Sequence, residues 1–346
     1  MRIGLLAPLS LPVPPAAYGG TERVVGWLAD GLVARGHEVV LFAAGDGATR
    51  ATLRHRLAAS LEGQGASRAA IDAAEAAHAA WALEEARGLD LVHDHLKAAG
   101  ITAAAGARQP VLTTVHNAPT PARRALLERF PTHPLVALSE AHRHQLAGLR
   151  VVGTVPNGLD LEALPLATGP RDHLLFLGRL DAAKGADLAA RLAAEADWPL
   201  VMAGRTQHDP RFFAEHVAPW LDGRRRRHVG EVGGRAKWEL LASARALLFP
   251  IRWEEPFGLV MIEAMAVGTP VVATAWGAVP EVVAHRETGW IVPRDASLAA
   301  LAEGVERVRG CPPEACRQHV ARRFSAARMV DGYVALYEGL RAARAA

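Results

Sequence analysis

Short apolar runs alternate with longer amphipathic stretches along almost the whole chain, the pattern of β-α-β units feeding a parallel sheet. In the first half, runs at 2–7, 38–43, 90–93, 111–115, 135–138 and 151–155 predict strands. Each is followed by a stretch that predicts a helix or a polar loop, and the Ala-rich segment 66–87 is the clearest helix. The pattern breaks at Val155-Pro156-Asn157-Gly158-Leu159-Asp160, and Pro165 and Gly169-Pro170 prolong the break. It restarts with runs at 174–177, 200–203, 246–249, 271–273 and 290–292. The expected class is therefore α/β, with two doubly wound parallel-sheet domains at 1–158 and 172–324 and a linker at 159–171. A helix over 325–346 is expected to pack back across the domains. Open sheets of this kind bind ligands beyond the carboxyl ends of their strands, so the two domains are expected to face one another across a cleft.

Composition narrows the partners. The 346 residues are half apolar and 22% charged, as in ordinary globular proteins. Lys and Arg number 39 against 36 Asp and Glu, a net charge of only +3, which argues against nucleic acid as a partner. Lysine is scarce: only Lys97, Lys184 and Lys237 occur, so each is worth examining. Cys311 and Cys316 are the only cysteines and support neither a disulfide framework nor a zinc site. The start of the chain is too soon broken by Pro8 for a signal peptide, and no apolar run reaches membrane-spanning length. A cytoplasmic location is the expectation.

The most informative stretch is Glu255-Pro256-Phe257-Gly258-Leu259-Val260-Met261-Ile262-Glu263, two carboxylates around a glycine that opens an apolar helix. The helix should run to Val267, where Gly268-Thr269-Pro270 stops it. Eight helical residues span roughly 12 Å. That reach suits a nucleotide sugar, with hexose at one acid, ribose at the other and diphosphate at the helix N-terminus. Spacing alone also fits a surface Glu followed by a buried helix.

Other segments offer matching chemistry. In Tyr18-Gly19-Gly20-Thr21-Glu22 the two glycines open a helix ending near Arg35-Gly36, with Thr21 as its natural N-cap; the loop suits a phosphate or is a plain turn. Arg179 and Lys184, in Gly178-Arg179-Leu180-Asp181-Ala182-Ala183-Lys184-Gly185, flank a loop between a strand and a helix. They suit a diphosphate and the charge of a departing nucleotide without a metal, unless they are solvated surface cations. His116 closes the strand at 111–115 and either bonds a sugar hydroxyl or caps the next loop. His93-Asp94-His95 is a weak metal signal, better read as interdomain hydrogen bonding or acceptor contact. The run Arg224-Arg225-Arg226-Arg227 lacks interleaved aromatics and reads as a solvated loop.

Together these segments resemble the family 4 glycosyltransferases, a large retaining family of GT-B fold with two Rossmann-like domains. The resemblance covers most of the chain. It rests on Glu255 and Glu263, the Arg179/Lys184 loop and Pro156-Asn157-Gly158-Leu159-Asp160, and less specifically on Gly19-Gly20 and His116. Ala275-Trp276-Gly277-Ala278-Val279-Pro280-Glu281 is similar to the family's glycine-rich loop near the donor, with Trp276 and Ala278 less usual. The resemblance implies that Glu255 binds hexose hydroxyls, Glu263 the ribose, and Arg179 and Lys184 the diphosphate. Gly19, Gly20, Gly258 and Leu259 would assist through backbone N–H groups, with Phe257 in the same donor loop, and His116 would contact the donor sugar. His116, Glu255, Arg179 and Lys184 are thus the expected catalytic set, with no bound metal and no other cofactor.

The activity so implied moves a hexosyl or N-acetylhexosaminyl group from a nucleotide-diphosphate sugar, a UDP-sugar ahead of GDP-mannose, to a hydroxyl acceptor by same-face displacement. The acceptor is a small molecule, a glycan or a lipid-linked alcohol, and peripheral membrane contact has no positive support in the sequence. The alternatives are a nucleotide-sugar epimerase or hydrolase of the same fold, and a non-catalytic nucleotide-sugar-binding subunit.

Overall fold

The six apolar runs of the first half become strands and a seventh joins them: β1 (Arg2–Leu6), β2 (Glu38–Phe42), β3 (Thr52–Arg54), β4 (Leu91–Asp94), β5 (Val111–Thr114), β6 (Leu135–Ala137) and β7 (Val151–Thr154). All pairings are parallel, in the order β3-β2-β1-β4-β5-β6-β7. The second half adds β8 (His173–Leu177), β9 (Leu200–Ala203), β10 (Arg226–His228), β11 (Ala244–Phe249), β12 (Val271–Thr274) and β13 (Gly289–Val292). These form a second parallel sheet, β10-β9-β8-β11-β12-β13. The structure is a computed structural model that describes all residues except Ala163, Thr168, Pro170 and Ala346, and only the backbone of Arg344 and Ala345. Three of those excepted residues fall in the expected linker and one at the end of the expected C-terminal helix.

The chain divides into two units. Met1–Leu159 and the helix Ala326–Ala345 form the first, and Asp160–Ser325 the second. Helices cover both faces of such sheets, so the inner strands are buried on both sides and read as continuous apolar runs. Strands β4, β5, β9 and β12 are buried at every residue.

Two strands escaped the apolar pattern, and both are three-residue sheet edges. Edge strands are kept short and charged, which removes the hydrophobic signal. One of them corrects the reading of the arginine run: Arg226-Arg227-His228 pairs with Leu200–Met202 and is not a solvated loop. Asp222 Oδ1 accepts the backbone N–H groups of Arg224, Arg225 and Arg226 at 2.8, 2.8 and 2.9 Å. Asp197 takes the guanidinium groups of Arg225 and Arg226 at 2.7 and 3.1 Å.

The helix Ala326–Ala345 is bound into the first unit by both packing and hydrogen bonds. The Ala326 N–H donates to the Leu159 carbonyl at 2.7 Å, and Arg35 donates to the Ala327 carbonyl at 2.7 Å. Tyr333 and Tyr337 are fully buried, and their hydroxyls meet strand residues. The Tyr337 hydroxyl lies 2.7 Å from His93 Nδ1, and the Tyr333 hydroxyl 3.0 Å from Thr114 Oγ1. His93 Nε2 closes the network on Thr114 Oγ1 at 2.8 Å. His93 thus ties β4 and β5 to the C-terminal helix.

Among the described residues no helix is long and apolar enough to cross a membrane. Replacing Tyr337 with Phe strips a buried imidazole nitrogen of its partner. It should destabilise the first unit by roughly 1–3 kcal/mol, read as a lower denaturant midpoint with an unchanged slope.

Candidate functional site

In each sheet the strand order reverses once, between β1 and β4 and between β8 and β11. At such a point the loops leaving neighbouring strands part in opposite directions and leave room for a ligand. Arg179, Asp181 and Lys184 sit on the loop that follows β8, and Glu255 on the loop that follows β11.

Asp181 shapes the first of these loops. Its Oδ1 accepts the Lys184 N–H at 2.9 Å and its Oδ2 lies 3.1 Å from Arg179 Nε. Lys184 then reaches the second loop, where its ammonium is paired with Glu255 Oε2. The Trp253 indole N–H donates to the same oxygen at 3.1 Å, and the Lys184 ammonium stands 4.8 Å from the centre of that indole's ring system. Both donors converge on Oε2, which leaves Oε1 without a hydrogen-bond partner among the described residues. The side chains are largely shielded, with 18% exposure for Lys184 and 11% for Glu255.

The backbone of Glu255 is fixed from the other side. The Ala278 N–H donates to the Glu255 carbonyl at 2.9 Å, and the Gly277 N–H to Glu254 Oε2 at 2.9 Å. Gly277 has φ +52°, and a Cβ there would fall 2.3 Å from both the N and the O of Glu255. Only glycine allows the 275–281 loop to lie this close.

The second acid of the pair makes a different contact. Glu263, on the helix Leu259–Ala266, is buried, and its carboxylate meets the buried ammonium of Lys237 at 2.5 Å. Gly258 holds the N-cap position of that helix, and Leu259 opens it half-buried. Phe257 turns its ring into the core, 5.7 Å edge-to-face from Phe324, so only its backbone belongs to the loop surface. The sequence carried one pointer to Lys237, the rarity of lysine; nothing in it indicated the pairing.

Gly19, Gly20 and His116 lie in the first unit. Gly19 occupies the N-cap position of the helix Gly20–Ala34, which corrects the expectation that Thr21 caps it. Gly19 has φ +128°, and a Cβ there would meet Leu11 Cδ1 at 2.7 Å and Pro15 Cγ at 2.8 Å. The tight turn therefore takes the cap position, and Thr21 falls inside the first turn.

Thr21 and Glu22 line a pocket with His95, Lys97, His116 and Arg123, at the switch point between β1 and β4. His116 Nε2 lies 2.9 Å from His95 Nδ1. Burial drives the His116 pKa down to about 3, with His142 and Lys97 adding repulsion, and holds His95 well below the usual imidazole range. Burial pushes the Glu22 carboxyl up to about 7, opposed by its own backbone N–H and by Lys97. Asp94, buried beneath the pocket, is likewise raised to about 7 although the Leu96 N–H and Thr113 hydroxyl both donate to it at 2.8 Å. Among the described residues no three His, Cys, Asp or Glu side chains are arranged to hold a metal ion; both ring nitrogens of His93 and the Asp94 carboxylate are engaged by the contacts above, and His95 through Nδ1 alone.

Two family models together span most of the chain. That of "Glycosyltransferase Family 4" matches residues 18–163, and that of "Glycosyl transferases group 1" matches residues 165–322. A phosphatidyl-myo-inositol mannosyltransferase of Mycolicibacterium smegmatis is 31% identical over 338 residues, covering 88% of this chain and 84% of that protein. The structure of AviGT4, a glycosyltransferase involved in avilamycin A biosynthesis, superposes with a TM-score of 0.76 at 27% identity, covering 99% of this chain and 98% of that one. Anabaena HepE, solved in complex with UDP and glucose, has the same fold at a TM-score of 0.75 and 19% identity, over 98% of this chain and 99% of that one.

Two outcomes follow from these contacts. Lys237→Ala leaves the Glu263 carboxylate buried and unpaired and should cost roughly 3–5 kcal/mol, whereas Lys237→Met with Glu263→Leu should recover most of it in denaturant titration. The titration of the first unit should give a stability that rises out of the acid range. His78, His93, His95, His116, His133 and His142 all have lowered folded pKa values, so the unfolded chain binds more protons below their ordinary value of 6.5 and stability falls as pH drops through that range. Glu22 and Asp94 have raised values, so their contribution is lost as pH rises from the ordinary carboxylate range to about 7, which offsets part of the gain from the imidazoles. Melting temperatures should climb out of the acid range and level off above neutrality, and His95→Gln should shallow the acid limb.

Proposed function

The chain belongs to family 4 of the glycosyltransferases, and from that premise we propose that it is a retaining hexosyltransferase that takes its sugar from a nucleotide diphosphate. The observation that carries this reading is the meeting of Lys184 and Glu255 at the switch point of the second sheet. A cation suited to phosphate and a carboxylate suited to sugar hydroxyls are held in contact on loops from two adjacent central strands.

In this reading Glu255 accepts hydrogen bonds from hexose hydroxyls through Oε1. Lys184 and Arg179 neutralise the charge that builds on the diphosphate as the glycosidic C–O bond breaks. The first N–H groups of the helix Leu259–Ala266 add their partial positive charge. Glu263, with Lys237 beneath it, faces the ribose. Within the first unit, His116 is a neutral imidazole. The acceptor oxygen forms its new bond on the face the phosphate leaves, and its proton passes to the departing phosphate oxygen. These cations supply the charge stabilisation a metal would otherwise bring.

UDP-hexose or UDP-N-acetylhexosamine is the proposed donor class, supported by the UDP seen in HepE. Mannosyl transfer is the second reading, supported by the name of the Mycolicibacterium relative. A melting screen with UDP-glucose, UDP-N-acetylglucosamine and GDP-mannose separates them, since the true donor raises the melting temperature by mass action. Glu255→Gln and Lys184→Ala should each lower transfer at least ~10²-fold while circular dichroism stays that of the wild type. Near-normal turnover in both purified variants would overturn the assignment.

A further inference from the structure

The three lysines differ in one respect. Lys184 and Lys237 are neutralised by Glu255 and Glu263. Lys97, which follows β4, is half-buried at the wall of the first unit's pocket and makes no hydrogen bond or ion pair among the described residues. Arg123, from the helix Pro121–Glu128, lines the same pocket, and its guanidinium donates to the Ala118 carbonyl at 3.3 Å, with no carboxylate partner among the described residues.

Deeper in the pocket, His95 is 2% exposed and already joined to His116 through Nδ1. Its Nε2 is buried without a hydrogen-bond partner among the described residues. Buried polar atoms in folded proteins are almost always satisfied, so an unpaired nitrogen on a pocket wall marks a place for a ligand group. Two shielded cations with no ion pair to a carboxylate among the described residues make the same demand for an anion. Burial and the nearby Arg68 and Arg123 pull the Lys97 pKa down, which is the cost that a bound anion would relieve. Glu22 and Glu75 face the same lysine, and burial raises both, so Glu22 can carry a proton beside an incoming anion.

We propose that this pocket is the acceptor site and that the acceptor is a phosphate-bearing alcohol, its phosphate on Lys97 and Arg123 and a hydroxyl on His95 Nε2. A guanidinium and an ammonium together match a tetrahedral oxyanion, the one by paired bonds and the other as a point charge. The inference rests on the transferase reading above, and its phosphate is either that of a soluble ester or that of a lipid headgroup.

With so few lysines, amine acetylation read by peptide mass spectrometry reports each site separately in the intact chain. Glycerol 1-phosphate should slow acetylation of Lys97 severalfold while glycerol does not, and Arg123→Ala should remove that protection. Protection by phosphatidylglycerol vesicles, without protection by phosphatidylcholine vesicles or by glycerol 1-phosphate, would assign the phosphate to a lipid. Unchanged labelling of Lys97 with both phosphates overturns the proposal. UDP should protect Lys184 and leave Lys97 alone, so loss of that effect speaks against the donor reading and leaves the outcome at Lys97 unaffected. Calorimetry against wild type and Lys97→Met, with whichever phosphate protects Lys97, gives an independent measure, and measurable binding of equal strength to both also overturns the proposal.

Discussion

An ammonium and a carboxylate, each mostly withdrawn from water, hold the second unit's site in shape. Lys184 and Glu255 are 71 residues apart in the chain, yet their loops leave adjacent central strands and meet where the strand order reverses. Removing either group would leave the other shielded and unpaired, and a shielded charge is tolerated only when paired. Asp181 turns the first loop, the Ala278 N–H and Gly277 fix the second, and Trp253 completes the contact. The pair is thus fixed in place, with both donors on Oε2 of Glu255 and no hydrogen-bond partner on its Oε1 among the described residues.

The first unit repeats the architecture and uses a different chemistry. Its switch point gathers neutral imidazoles, a raised carboxyl and two cations without carboxylate partners. Burial sets that balance: it strips charge from His95 and His116 and lifts Glu22, while Lys97 and Arg123 lie nearer the pocket's mouth. Beneath them, His93 and Thr114 are tied to tyrosines of the C-terminal helix, so the strand ends bearing His95 and His116 are braced from behind. A helix remote in sequence from the pocket thereby positions its walls.

Much of the fold was legible because inner parallel strands are apolar on both faces and stand out as runs. Eleven of the thirteen strands coincide with such runs within two residues. The two missed, Thr52–Arg54 and Arg226–His228, are sheet edges whose charged residues protect them from pairing with other chains and remove the pattern. Thr21 was misplaced as a cap because the steric demand of Leu11 and Pro15 on Gly19 is a tertiary matter. The candidate residues Glu255, Glu263, Arg179, Lys184 and His116 were legible from motif context, and so was the family.

The sequence alone determined the class of each unit, the break between them, the two acids around Gly258 and the scarcity of lysine. These are written in local periodicity and in residue identity, which need no partner to be read. Which charge neutralises which was decided only by the tertiary structure: Lys184 on Glu255, Lys237 on Glu263, and Lys97 with no ion pair among the described residues. Pairing depends on where the sheet order reverses and on how deeply each group is buried. Both arise from contacts between residues tens of positions apart, and no spacing along the chain encodes them.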